Sequence, residues 1–315
     1  MSAFYGWLAT LAARGTLPAI FEYAFFVRGL LAVLLLAPLL GGLSHLVVAR
    51  RLSFFSAALG QAALTGLTIG IVLGEPLNAA YGGIFGFCFL AALAMVYVKR
   101  HAALPWDTLV GVFLSMSLGL GICLLVAVTK RFNIHQVEAV MFGSLLTVTD
   151  TDLALLVVIG AVVATSLALI YNHLLLDSVD ASLARVNGAW PAFIEYLFVM
   201  LLTAAIVVSL KVIGALLVEA MVVVPAAAAR NLARTTRAYL ILSILVAVVA
   251  GVGGLFISSR LLVPSGGAVV LAMSVLFFVT LGMGGLRGVV RATPHAETPR
   301  AAPSPGSARD GSRRA

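Results

Sequence analysis

Charge is what this sequence has least of. Lys, Arg, Asp and Glu make up 10% of the residues and hydrophobic types 62%, whereas soluble domains carry about 25% charged residues. Mean hydropathy is +1.13. A soluble fold of 315 residues could not hide that much apolar surface in one core, so lipid is the expected solvent for much of the exterior. Cysteine is nearly missing. Cys88 and Cys123 lie in apolar runs with no CxxC or pairing pattern, which argues for packing rather than a disulfide or metal site. Lysine is confined to Lys99, Lys130 and Lys211, and none follows a GxxxxG pattern, so a phosphate-cradling loop is excluded. HExxH and GxSxG are absent too. A membrane enzyme would need a cluster of catalytic polar residues within its spans, and none is visible. Any energy source is expected from elsewhere: an ion gradient or a separate ATPase. The first segment, MSAFYGWLATLAARG, has no basic stretch before its apolar part, so no cleavable leader is expected.

What is present is a series of apolar runs. A spanning helix needs about 20 mostly apolar residues. Spans are predicted near 29–49, 54–74, 79–98, 108–128, 153–174, 192–210, 212–229, 238–258 and 267–285. The expected fold is an all-α polytopic membrane protein of eight or nine transmembrane helices. Only Leu210 and Lys211 separate the sixth and seventh runs, which leaves little room for an ordinary reversal, so one of the two is expected to be short or broken. Three parts are expected: residues 1–24, with an interfacial helix near 3–13 anchored by Tyr5 and Trp7; a transmembrane body, 25–290; and a basic tail, 291–315. The tail is rich in Pro, Ala, Ser, Arg and Gly and is predicted to be disordered.

The net charge of +8 is not a nucleic-acid signal, because the arginines sit at the ends of apolar runs and in the tail. Alternation of the spans places Arg50, Arg51, Lys99, Arg100, Arg185, Arg230, Arg234, Arg237, Arg287 and Arg291 on one side. Arg28, Lys130, Arg131, Lys211 and Arg260 fall on the other. The richer side is expected to be cytoplasmic.

One carboxylate lies inside a run. VIGALLVEAMVVVPAAAARN, residues 212–231, is apolar except for Glu219 and is expected to break at Pro225. A carboxylate at bilayer depth costs roughly 2.5 to 3.5 kcal/mol on insertion scales and usually faces a bundle interior or a water-filled path. Glu219 is read as a cation ligand or gate on such a route; the competing reading is a protonated acid bonded to a neighbouring helix. Gln61 lies among Gly60, Ala62 and Gly66. Its amide offers a carbonyl oxygen to a cation, or an ordinary interhelical hydrogen bond. His45, near the basic end of the first span, is a weaker candidate for the route and reads more readily as a packing or interface residue. His135 and Glu138 share a helix face at a spacing that can bind metal. Asp150 and Asp152 in TVTDTD read as a helix cap. Pro264, followed by the pair Gly266 and Gly267, marks a turn and a helix start. DSVDASLARVNG, residues 177–188, is the exceptional polar loop. Asp180 suits an N-cap and Gly188 a stop, which reads either as a short cytoplasmic helix able to dock a soluble motor or as an ordinary ordered loop.

These pieces stand in a familiar order. FFVRGLLAVLLLAPLLGGLSHLVVARRLSFFSAALGQAALTG, WDTLVGVFLSMSLGLG, VMFGSLLTVTDTDL, DASLARVNG, VIGALLVEAMVVVPAAAAR and VPSGGAVV together resemble the ABC-3 family, the permease subunits of zinc, manganese and iron ABC importers. The resemblance runs from about residue 24 to 285. It implies two permease copies, an ABC ATPase and an extracytoplasmic substrate-binding protein, with the loop around Asp180, Ala184, Arg185 and Gly188 as the contact to the ATPase. It also implies a divalent metal as transported cargo, no permanently bound cofactor, and a route at the axis between the two copies. The family pattern RR-x-S/A-F-x-x-D-x-x-S-H-A is met here by Ala57 at the Asp position and Gln61 at the His position, while Glu219 replaces a small or apolar residue. The expectation is a relocated, oxygen-rich polar site in which Glu219 is the metal ligand, with Gln61 and His45. A permease for a non-metal substrate and an ion-coupled secondary transporter are the alternatives.

Overall fold

The computed structural model describes residues 23–75, 81–102, 104–129, 148–179, 191–261 and 263–291, and these are helical apart from the connections. The helices are α1 (Ala24–Ala49), α2 (Phe55–Val72), α3 (Tyr81–Ala102), α4 (Trp106–Thr129), α5 (Asp150–Val179), α6 (Pro191–Ile213), α7 (Ala215–Arg230), α8 (Thr236–Leu261) and α9 (Ser265–Arg291). Each of the nine apolar runs becomes one helix. All except α7 are long and apolar enough to cross a membrane. Helix α7 has 16 residues, about 24 Å against a hydrocarbon core of about 30 Å. It is the short member of the closely spaced pair.

Helices α1, α2 and α6 are the most buried. The first packs on α5, α7 and α8, and the second on α3, α4 and α7. Lipid cannot drive helices together by hydrophobicity, so close packing of small residues does this work. The buried side of α2 carries Ser56, Ala58, Gly60, Ala62, Thr65, Gly66 and Thr68. At Gly66 a Cβ would lie 2.6 Å from the carbonyl oxygen of Gly83 and 2.9 Å from Ile84 Cα, both backbone atoms of α3. Gly66→Leu is therefore expected to wedge α2 from α3 and cost on the order of 1–3 kcal/mol, read as a lower unfolding temperature in detergent. The outer helices show the opposite character. Leu169 on α5 and Leu271 on α9 are 77% and 68% exposed, as lipid-facing residues should be.

The break between the sixth and seventh runs differs from the expectation at Pro225. Helix α7 continues through Pro225, which is buried. The Ala226 amide, one residue on, donates to Ser44 Oγ on α1 at 3.0 Å. A neighbouring hydroxyl of this kind is what lets a helix in lipid tolerate proline. The break falls instead at Gly214, the single residue between α6 and α7, with φ 81° and ψ 164°. Pro264 stands just before α9, and its carbonyl accepts the first helical bond from Ala268 at 3.1 Å.

Charges collect at the two ends of the bundle as alternation requires. At one end Lys99 and Arg100 both pair with Glu195, the latter at 3.3 Å. Lys99 also lies over Trp106, and Arg50 over Phe198. At the other end Arg28 meets Asp150 at 2.9 Å, and Lys211 meets Asp152 at 4.0 Å. The first end, rich in Lys and Arg, is the one the positive-inside rule expects to be cytoplasmic. The predicted interfacial helix at 3–13, the His135–Glu138 pair, the loop carrying Asp180, Ala184, Arg185 and Gly188, and the tail beyond Arg291 lie outside the described residues.

Candidate functional site

Gly214 starts α7, and Glu219 follows just over one turn later. That turn lies on α2 at Gly60. A Cβ on Gly60 would be 3.2 Å from Glu219 Oε1 and 3.4 Å from Ala215 Cβ. The missing side chain at Gly60 is thus what lets the carboxylate lie on the α2 backbone. Gln61, the next residue, is half-buried, and its Oε1 is buried with no hydrogen-bond partner. Ala57, one turn earlier on the same face of α2, is also half-buried.

The structure therefore packs the turn of α7 that carries Glu219 on Gly60, the residue that precedes Gln61 in α2. Glu219 supplies two oxygens and a charge, and Gln61 supplies a carbonyl oxygen whose hydrogen-bonding capacity is unused. A buried amide oxygen without a partner costs about 1–3 kcal/mol, so an arriving cation or water would be favoured there. No group of three His, Cys, Asp or Glu able to hold a metal forms among the described residues.

His45 is placed apart from this pair. Its Nδ1 is 2.5 Å from the Gly42 carbonyl, one turn back. Its Nε2 is 3.3 Å from the Tyr171 hydroxyl on α5. The ring is 97% buried and meets Tyr239 of α8 edge-on. These contacts make it a cross-brace of α1, α5 and α8. Cys88 is buried, with Sγ 3.7 Å from the Leu59 carbonyl, and Cys123 is exposed on α4.

One polar cluster was not anticipated as a unit. Thr149 caps α5: its Oγ1 accepts from the Asp152 amide at 3.2 Å, and Asp152 Oδ2 accepts from the Thr149 amide at 3.1 Å. This reciprocal pair is a capping box. The other Asp152 oxygen takes the Tyr81 hydroxyl at 3.0 Å, and the Lys211 ammonium sits 2.9 Å from the Tyr81 ring centroid. One carboxylate thus ties the outer ends of α3, α5 and α6. The sequence signal was modest: Tyr81, Asp152 and Lys211 all fall at span ends that alternation assigns to one side.

The match to known proteins covers the same helices. The Manganese import system permease protein ScaB of Streptococcus gordonii is 29% identical over 259 residues, covering 82% of this chain and 91% of the relative. The High-affinity zinc uptake system membrane protein ZnuB of Haemophilus influenzae is 29% identical over 263 residues, 83% of this chain and 97% of the relative. Among solved structures, PsaBC from Streptococcus pneumoniae in complex with Fab has a similar fold. Its TM-score is 0.70 at 28% identity, covering 82% of this chain and 91% of that one. Residues 22–284, which contain α1 to α8 and most of α9, match the ABC 3 transport family, and the chain belongs to that family.

Proposed function

We propose that this chain is the permease subunit of an ABC importer for a divalent transition metal, and that Glu219 and Gln61 form a polar station on the route. The observation that carries this reading is the Glu219 carboxylate lying against Gly60 of α2, the helix on which the next residue, Gln61, keeps an unpartnered amide oxygen, in an otherwise apolar bundle. The names of the manganese and zinc relatives support the metal. An all-oxygen set suits Mn²⁺ or Fe²⁺, whereas imidazole-rich sites suit Zn²⁺. The half-open faces of α2 and α7 leave space for the same residues of a second copy to complete the shell. The chain does no bond chemistry. A separate ATPase, contacting the loop that holds Asp180, Ala184, Arg185 and Gly188, would rock the helices, and an extracytoplasmic binding protein would deliver the cation.

An ion-coupled secondary transporter would need several ionisable groups at membrane depth. Glu195, a carboxylate near a span end, is already neutralised by Lys99 and Arg100.

The test is uptake into liposomes holding the permease with its ATPase and binding protein. Mn²⁺ or Fe²⁺ accumulation above that of Zn²⁺ is the expected result, and failure to accumulate any divalent cation would remove the metal reading. A second expected outcome follows from the residues absent here. Ala57→Asp with Gln61→His adds one carboxylate and one imidazole to the same face of α2, and should raise Zn²⁺ uptake relative to the unaltered complex.

A further inference from the structure

The cytoplasmic end holds a second polar feature, separate from the route. An open cleft of about 540 Å³ lies between the α1–α2 turn and the α7–α8 connection, lined by Val48, Arg51, Arg230, Arg234, Thr235 and Tyr239 among others. It has three arginines and no carboxylate in its lining. None of these arginines forms an ion pair among the described residues. The Tyr239 hydroxyl is buried and has no hydrogen-bond partner. Helix α8 begins here, with the Thr235 hydroxyl accepting from the Ala238 amide at 3.2 Å, so the positive end of a 26-residue helix adds to the field.

We propose that this cleft binds the phosphate of an anionic phospholipid from the cytoplasmic leaflet. Basic pockets between transmembrane helices on this side hold such headgroups. The position of the cleft at the end of membrane-crossing helices favours a lipid headgroup over a free anion.

The chain also sustains strain to keep one of the cations. The α1 terminus closes with Leu52 N–H donating to the Val47 carbonyl at 2.9 Å and Arg51 N–H to Val48 at 3.2 Å. This double closure normally carries glycine at its left-handed position. Here Arg51 occupies it, at φ 58°. A left-handed non-glycine residue points to a local use of its side chain, and the guanidinium borders the cleft.

The test uses the purified full chain in detergent, titrated with phosphatidylglycerol or phosphatidylcholine, with bound lipid read by native mass spectrometry. Phosphatidylglycerol should be retained in preference. Arg230→Gln with Arg234→Gln should weaken its binding by roughly thirtyfold, from the usual contribution of each basic side chain at an anionic surface. Arg51→Gly should also weaken it while leaving the unfolding temperature unchanged or raised, which separates lost binding from lost folding. Arg260→Gln, at the opposite face, should change nothing. Equal retention of the two lipids would overturn the proposal, and so would equal loss with Arg260→Gln. Inorganic phosphate binding as tightly as the lipid would reassign the cleft to a free anion. If the arginine variants keep phosphatidylglycerol but fail to assemble with the ATPase, the cleft belongs to a protein carboxylate instead.

Discussion

Glu219→Gln should cut metal uptake by the assembled importer by at least about tenfold, the lower end of what losing even an outer-shell partner of a metal site costs. The substitution keeps the side-chain length and one carbonyl oxygen. It removes the charge, which matters most where water is scarce, because opposite charges attract far more strongly at low dielectric. Folding should not suffer. The carboxylate makes no hydrogen bond or ion pair among the described residues that the amide would lose, and an amide at this depth is cheaper to bury than a charge. The variant should therefore show an unfolding temperature equal to or above that of the natural chain, together with depressed uptake. Unimpaired uptake would take Glu219 off the route. A fall in uptake matched by a fall in stability would make it a structural acid. Glu219→Asp, which keeps the charge on a shorter arm, should recover part of the activity.

Gly214→Ala should damage both stability and transport. The φ and ψ of 81° and 164° lie in a region open essentially to glycine alone, and a side chain there costs about 1–3 kcal/mol. Gly214 is also the whole connection between α6 and α7. A relaxed backbone at this point would re-aim the first turn of α7, which sets the Glu219 carboxylate on Gly60. The expected readings are a lowered unfolding temperature and uptake reduced further than stability alone explains. Uptake and stability both intact would mean that the reversal can be made by another backbone path.

Much of the architecture was legible from residue order. Each of the nine apolar runs became a helix, and Lys and Arg at the run ends sorted onto two sides as the alternation required. The short member of the α6–α7 pair was anticipated from the two-residue gap. The place of the break was not, because proline weakens a helix only if its freed backbone groups go unsatisfied, and Ser44 of a distant helix contributes to this local bonding. Glu219 stood out by depth alone. That Gly60 is its neighbour could not be read, since nothing local in either run points to the other. His45 looked eligible by chemistry, yet its nitrogens are directed to Gly42 and Tyr171. Asp152 showed its capping role in the TVTDTD string and hid its second one, because Tyr81 and Lys211 come from other helices.

The existence and approximate extent of the apolar helices follow from composition and run length, because transfer into lipid acts on each segment separately and roughly in proportion to its apolar surface. Which helix touches which, where the carboxylate rests and which arginines share a cleft emerge only on folding. Inside a bilayer, helices choose partners by shape and by a few hydrogen bonds, and both are properties of pairs of surfaces brought together.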